Sequence, residues 1–154
     1  MTPACTQAPG GTLHWVLDTN VVLDWLVFAD AHMEAAAAWL HEGRARWLHT
    51  PAMLEELFDV VSREQVLRRA GADAAALGRR VRQAAQDHGL LLPEAPACAW
   101  RCADPDDQMF IDLAAHARAQ CLLTRDKALL ALAPRCSAQG LRILRPAELG
   151  PLQA

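Results

Sequence analysis

No stretch of this chain is long and apolar enough to span a bilayer. Met1 to Gly11 has neither the basic start nor the apolar centre of a secretory leader. The expectation is therefore a cytoplasmic protein with no membrane partner. Basic charge is also scarce. Lys and Arg number 15 against 18 Asp and Glu, a net charge of −3, so a nucleic-acid partner would need a local basic face. A disulfide framework is missing too. Cys5, Cys98, Cys102, Cys121 and Cys136 are odd in number and fit no paired spacing, which points to a reduced protein. Cys98 and Cys102 lack the second ligand pair of a structural zinc site. The histidines form no base-and-nucleophile pattern, which argues against histidine-based acid–base catalysis.

What the chain does have is enough length, 154 residues, and enough apolar content, 53%, for one globular domain. Residues 1–12, rich in Pro, Gly, Thr and Ala, read as a flexible tail before a single domain over 13–149. Short aliphatic runs at Leu13–Leu17, Trp47–His49, Leu90–Leu92, Cys121–Leu123 and Leu141–Leu144 predict strands. Helical spacing fills the intervals. It covers Val21 to Phe28, His32–His41, Pro51 to about Val61, Glu64–Ala70, Ala74–His88, Pro105 to about Arg118, and Lys127–Leu132. Thr50-Pro51 and Asp104-Pro105 are cap-plus-proline helix starts. Strands alternating with helices predict an α/β fold: a mostly parallel central sheet with helices on both faces, a three-layer α/β/α sandwich. Trp15, Trp25, Trp39 and Trp47 fall in apolar settings and read as core or interface. The Ala35–Ala38 run suits close helix packing, against this chain or a second copy.

The chemistry lies in a few acids. The first and fourth predicted strands each run into one: Asp18 after Leu17, and Asp126 just beyond Leu123-Thr124-Arg125. The carboxyl ends of strands are where open α/β sheets bind ligands. Each acid could equally cap the helix that follows it. Within the Pro51 helix, Met53, Glu56 and Val60 share one side, so Glu56 borders the buried face while Glu55 points to water. A solvated boundary glutamate is the competing reading. In Asp104-Pro105-Asp106-Asp107, Asp104 has the N-cap position and Asp106 can complement the helix dipole. Asp107 heads the apolar stripe of Phe110, Ile111 and Ala114, where an acid needs a partner or a cation; a second capping carboxylate is the alternative. If the first and fourth strands are neighbours, Asp18, Glu56, Asp107 and Asp126 converge. Carboxylates gathered at one point repel one another unless a cation neutralises them, and oxygen-only ligands suit Mg²⁺ or Mn²⁺.

Four segments carry a family resemblance: Val16-Leu17-Asp18-Thr19-Asn20-Val21, Leu54-Glu55-Glu56-Leu57-Phe58-Asp59-Val60-Val61, Asp104-Pro105-Asp106-Asp107-Gln108-Met109-Phe110, and Leu123-Thr124-Arg125-Asp126-Lys127-Ala128-Leu129-Leu130. In order, spacing and context the chain resembles the PIN-domain nucleases from about Trp15 to Leu149. The resemblance implies a PIN-like sandwich and an Mg²⁺- or Mn²⁺-dependent endoribonuclease acting on single-stranded RNA. It matches the family's acids to Asp18, Glu56, Asp107 and Asp126, and its supporting polar positions to Asn20 and Thr124. The Asp104-to-Asp107 run departs from the simplest toxin pattern. It is similar to a toxin-like subgroup, and it raises the question of whether Asp104 joins the site. By the same resemblance, an antitoxin and a homodimer are expected partners.

On this reading Asp18, Asp107 and Asp126 hold the ion, and Glu56 is a ligand or water-orienting base. Thr19, Asn20 or Thr124 hydrogen-bonds a ligand or phosphate. For RNA, Ser62 to Arg82 offers six arginines against two acids, and Arg79, Arg80 and Arg82 are the candidate contacts; a solvated helix surface is the competing reading. Two other functions stay open. One is a catalytically silent PIN-like binding module. The other is a phosphatase with an aspartyl nucleophile, which usually wants an acid where Asn20 stands.

Overall fold

In a computed structural model, residues 11–152 are described; the tail expected over 1–12 lies almost entirely outside them. Five parallel strands form one sheet in the order β3-β2-β1-β4-β5. They are β1 Leu13–Leu17, β2 Ala45–His49, β3 Gly89–Leu91, β4 Cys121–Leu123 and β5 Arg142–Leu144. The helices are α1 Thr19–Leu26, α2 Glu34–His41, α3 Pro51–Val60, α4 Glu64–Ala70, α5 Ala74–His88, α6 Gln108–His116, α7 Lys127–Leu130 and α8 Ala133–Ser137. The sheet is thus wholly parallel, and β1 sits in the middle. It pairs with β2 from Leu13↔Ala45 to Val16↔Leu48, and with β4 from Trp15↔Cys121 to Leu17↔Leu123.

Because side chains alternate along a strand, one sheet feeds two cores. Leu13, Trp15 and Leu17 of β1, Trp47 of β2 and Leu123 of β4 pack with α1, α2, α3 and α5. Val16, Leu48 and Leu122 point the other way, into a core built with Phe110, Ile111 and Leu113 of α6 and Leu129 of α7. That gives the expected three layers. All four singled-out tryptophans are buried. Ala36 of the alanine run is fully buried within this chain, and α2 packs on the 3-10 segment Pro146–Leu152.

Several boundaries differ from the sequence reading. Strand β2 begins at Ala45, because Leu13 of β1 needs a partner there. Strand β3 begins one residue early, since Gly89 pairs with Trp47. The helix expected from Pro105 opens as a 3-10 turn, Pro105–Asp107, before α6. The Lys127–Leu132 segment stops at Leu130, and α8 restarts with a proline in its first turn. Cysteine oxidation state also departs from expectation. Cys98, Cys102 and Cys136 are free, but Cys121 is disulfide-bonded.

Candidate active site

The carboxyl ends of β1 and β4 lie side by side, so Asp18 and the Thr124-Arg125-Asp126 turn meet. Asp18 is 4% exposed. Its Oδ1 accepts the Val21 amide hydrogen at 2.9 Å, which caps α1, and its Oδ2 accepts the Thr124 hydroxyl. The cap reading and the site reading of Asp18 therefore describe the same side chain. Thr124, fully buried, also accepts the Asp126 backbone N–H at 2.8 Å. One hydroxyl thus ties both strand ends together. Asp126 caps α7 through one oxygen, Oδ2, which takes the Ala128 and Leu129 amides at 2.9 and 3.2 Å.

From the 3-10 turn before α6, Asp104 and Asp107 join Asp126. Carboxylate oxygens of the three lie within 4.8 Å of one another. Asp104 caps its turn as its position suggested, accepting the Asp106 amide at 3.0 Å, yet it still belongs to this group. Glu56 enters from α3. It is half-buried where Glu55 is exposed, and Thr19, next to Asp18, donates its hydroxyl to Glu56 Oε2 at 2.5 Å. The burial of Glu56 and Glu55 differs in the sense that helical spacing implies.

The electrostatics follow from the crowding. Burial, then the hydrogen bond and charge of Asp126, then the charges of Asp104 and Asp18, push Asp107 up to about 7. Burial also raises Asp18, against the opposing hydrogen bonds from Thr124 and Val21, with Asp126 adding repulsion. The donor set is all oxygen, partly buried and mutually repulsive. These residues fit a hard divalent cation such as Mg²⁺ or Mn²⁺ and do not resemble a nitrogen–sulfur zinc site.

The other candidates divide. Asn20 is exposed on the first turn of α1, close to Asp18. Arg79, Arg80 and Arg82 of α5 are exposed. Arg80 points its guanidinium at the Leu26 carbonyl, at the end of α1 remote from Asp18, and Arg82 lies over the Phe58 ring. Two residues escaped the sequence reading. Asp24 of α1, 6% exposed, is gripped by Arg125, with Nε–Oδ2 at 3.0 Å and an Nη2 hydrogen bond to Oδ1 at 3.3 Å. The available signal was a lone acid among Val21, Val22, Leu23 and Trp25, which requires a buried partner.

A parallel α/β sheet that gathers acids at adjacent strand ends has a place where a divalent cation could be held. A family model described as "PIN domain" matches residues 14–128, and the chain belongs to the PIN-domain family. PIN domains are typically metal-dependent nucleases. A comparison with curated proteins gives no match.

Proposed function

We propose that this PIN domain is an Mg²⁺- or Mn²⁺-dependent endoribonuclease that hydrolyses phosphodiester bonds of single-stranded RNA. The observation that carries the proposal is the clustering of Asp104, Asp107 and Asp126 within 4.8 Å, beside Asp18 and the Thr19-held Glu56. Asp18, Asp107 and Asp126 would hold the ion, with Asp104 at its margin. When bound, the ion lowers the pKa of a coordinated water and neutralises charge on phosphate oxygens. The protein's own part is positional. Thr124 fixes the rotamer of Asp18 by donating to Oδ2. Thr19 holds Oε2 of Glu56, which aims the carboxylate to orient a water and accept its proton. The capping bonds to Asp18 and Asp126 anchor both carboxylates to helix starts, so they need not reorganise during reaction.

A cognate antitoxin, a homodimer and a cytoplasmic setting belong to the same proposal and rest on the family resemblance. The test is cleavage of a labelled single-stranded RNA in Mn²⁺. The wild-type chain should cleave, EDTA should stop it, and Asp18→Asn should abolish it. Undiminished cleavage by Asp18→Asn would overturn the assignment. Absence of both cleavage and Mn²⁺-linked thermal stabilisation in the wild type would leave the silent-module reading standing.

A further inference from the structure

Acids that hold a cation repel the rest of a polyanionic strand, so RNA requires a cationic path leading to the centre. A groove of about 280 Å³ runs along α1, bounded by the end of α3 and by α4. Its polar lining is Asn20, Asp24, Arg63, Gln65, Arg69 and Arg125, with Phe28 among its apolar walls. Two of its lining residues are chain neighbours of the acid centre: Asn20 lies two residues beyond Asp18, and Arg125 lies between Thr124 and Asp126. From Asn20 to Asp24 the groove follows about 6 Å of α1, at about 1.5 Å per residue, and it reaches Phe28 just past the end of that helix.

Three arginines line it beside one carboxylate, Asp24, with a second, Asp59, just outside the lining, and each arginine is already held. Arg125 is clamped on Asp24. Arg63 is braced by Asp59 at 2.8 Å. Arg69 lies over the Phe28 ring, 3.9 Å from its centroid. A guanidinium laid over a ring keeps its in-plane N–H edge available for a forked contact to phosphate. Preset side chains also lose less freedom on binding.

We infer that this groove, through Arg63, Arg69 and Arg125, receives the phosphodiester backbone of the single-stranded RNA leading away from the scissile bond. The α5 arginines do not serve this purpose. The inference rests on the nuclease reading but has a separate readout. The full-length chain is titrated in EDTA with a fluorescent single-stranded oligouridylate, following anisotropy across a range of salt. The variants are Arg63→Gln/Arg69→Gln, and Arg79→Gln/Arg80→Gln for comparison.

The groove double variant should bind about tenfold more weakly. Its log–log salt slope should flatten by about 1.4, at about 0.7 for each single-strand phosphate that is no longer neutralised. In Mn²⁺ its KM should rise with kcat little changed, and Arg69→Lys should recover the salt slope without full affinity. The α5 variant should keep wild-type affinity and slope. Both arginines replaced are exposed, so the fold should persist, with an unchanged melting temperature as the check. Unchanged RNA affinity and slope in the groove variant would overturn the groove assignment while leaving the nuclease reading intact. If labelled poly-glutamate, and not RNA, loses affinity in that variant, the groove is a protein-docking face and the assignment also falls. A wild-type chain that neither cleaves in Mn²⁺ nor is stabilised by it would remove the nuclease reading itself.

Discussion

Replacing Asp18 by Asn should make the metal-free protein more stable while destroying its activity. The side chain is almost fully buried, and burial together with the Asp126 charge disfavours its ionised form. Asn keeps the shape and remains a good N-cap, so its Oδ1 can still take the Val21 amide. What changes is at the second oxygen. The amide NH₂ can donate to Thr124 Oγ1, but the Thr124 hydroxyl hydrogen is then left without an acceptor, a cost of about 1 kcal/mol. Against it, one buried charge and its repulsion with neighbouring carboxylates disappear, a relief of about 2–3 kcal/mol. The net gain is about 1–2 kcal/mol, or roughly 3–6 °C in Tm for a domain of this size.

Mn²⁺ should reverse the order. At about a hundred times its dissociation constant, a ligand adds about 2.7 kcal/mol to a protein that binds it. The wild type should therefore overtake the variant, whose Tm hardly responds. Differential scanning fluorimetry in EDTA and in rising Mn²⁺ reads both halves. A variant that melts below wild type in EDTA would refute the electrostatic argument. A variant with the full Mn²⁺ shift would refute Asp18 as a ligand.

Further outcomes follow from the same geometry. Asp107, pushed up to about 7 from its ordinary 3.8, keeps its proton in the folded protein over a pH range where the unfolded chain has released it. Metal-free stability from this group should therefore fall as pH rises from about 4 through about 7, and Asp107→Asn should remove that part of the Tm-versus-pH slope. Mn²⁺ must displace the same proton, so its apparent affinity should climb up to about pH 7, with proton release visible by calorimetry in two buffers. Arg125→Ala strands the buried Asp24 carboxylate; because the arginine is half exposed, the destabilisation should be about 2 kcal/mol, measured by urea denaturation. Gly89→Ala would set a Cβ 2.5 Å from the His49 ring and 2.7 Å from the Ala85 carbonyl, and should cost about 1–3 kcal/mol by the same method.

Much of this architecture can be read from patterns of short range. Short apolar runs and their bounds mark all five strands, because each strand is bounded by polar or turn residues and filled mostly with apolar ones. Helical spacing distinguishes Glu56 from Glu55 because neighbours three and four residues away, Met53 and Val60, report the buried side. Asp104 could not be placed this way. Its capping role is local and visible, whereas its approach to Asp126 depends on how the turn before α6 sits over β4. The arginines show the same limit. Arg79, Arg80 and Arg82 form the denser run, yet density along a helix says nothing of which layer edge that helix faces. Arg125 and Asp24 are 101 residues apart in sequence, and only the pairing of β1 with β4 brings them together.

The hydrogen bond from Thr124 to Asp18 also joins residues 106 positions apart. During synthesis, an emerging chain that ends before β4 would carry Asp18, Glu56, Asp104 and Asp107 but neither Thr124 nor Asp126. Pairing at this separation is slow to form, because the closure entropy of the long intervening loop must be met first. The acid centre is consequently one of the last features to assemble. A chain still on the ribosome would hold an incomplete acid centre until its fourth strand docks.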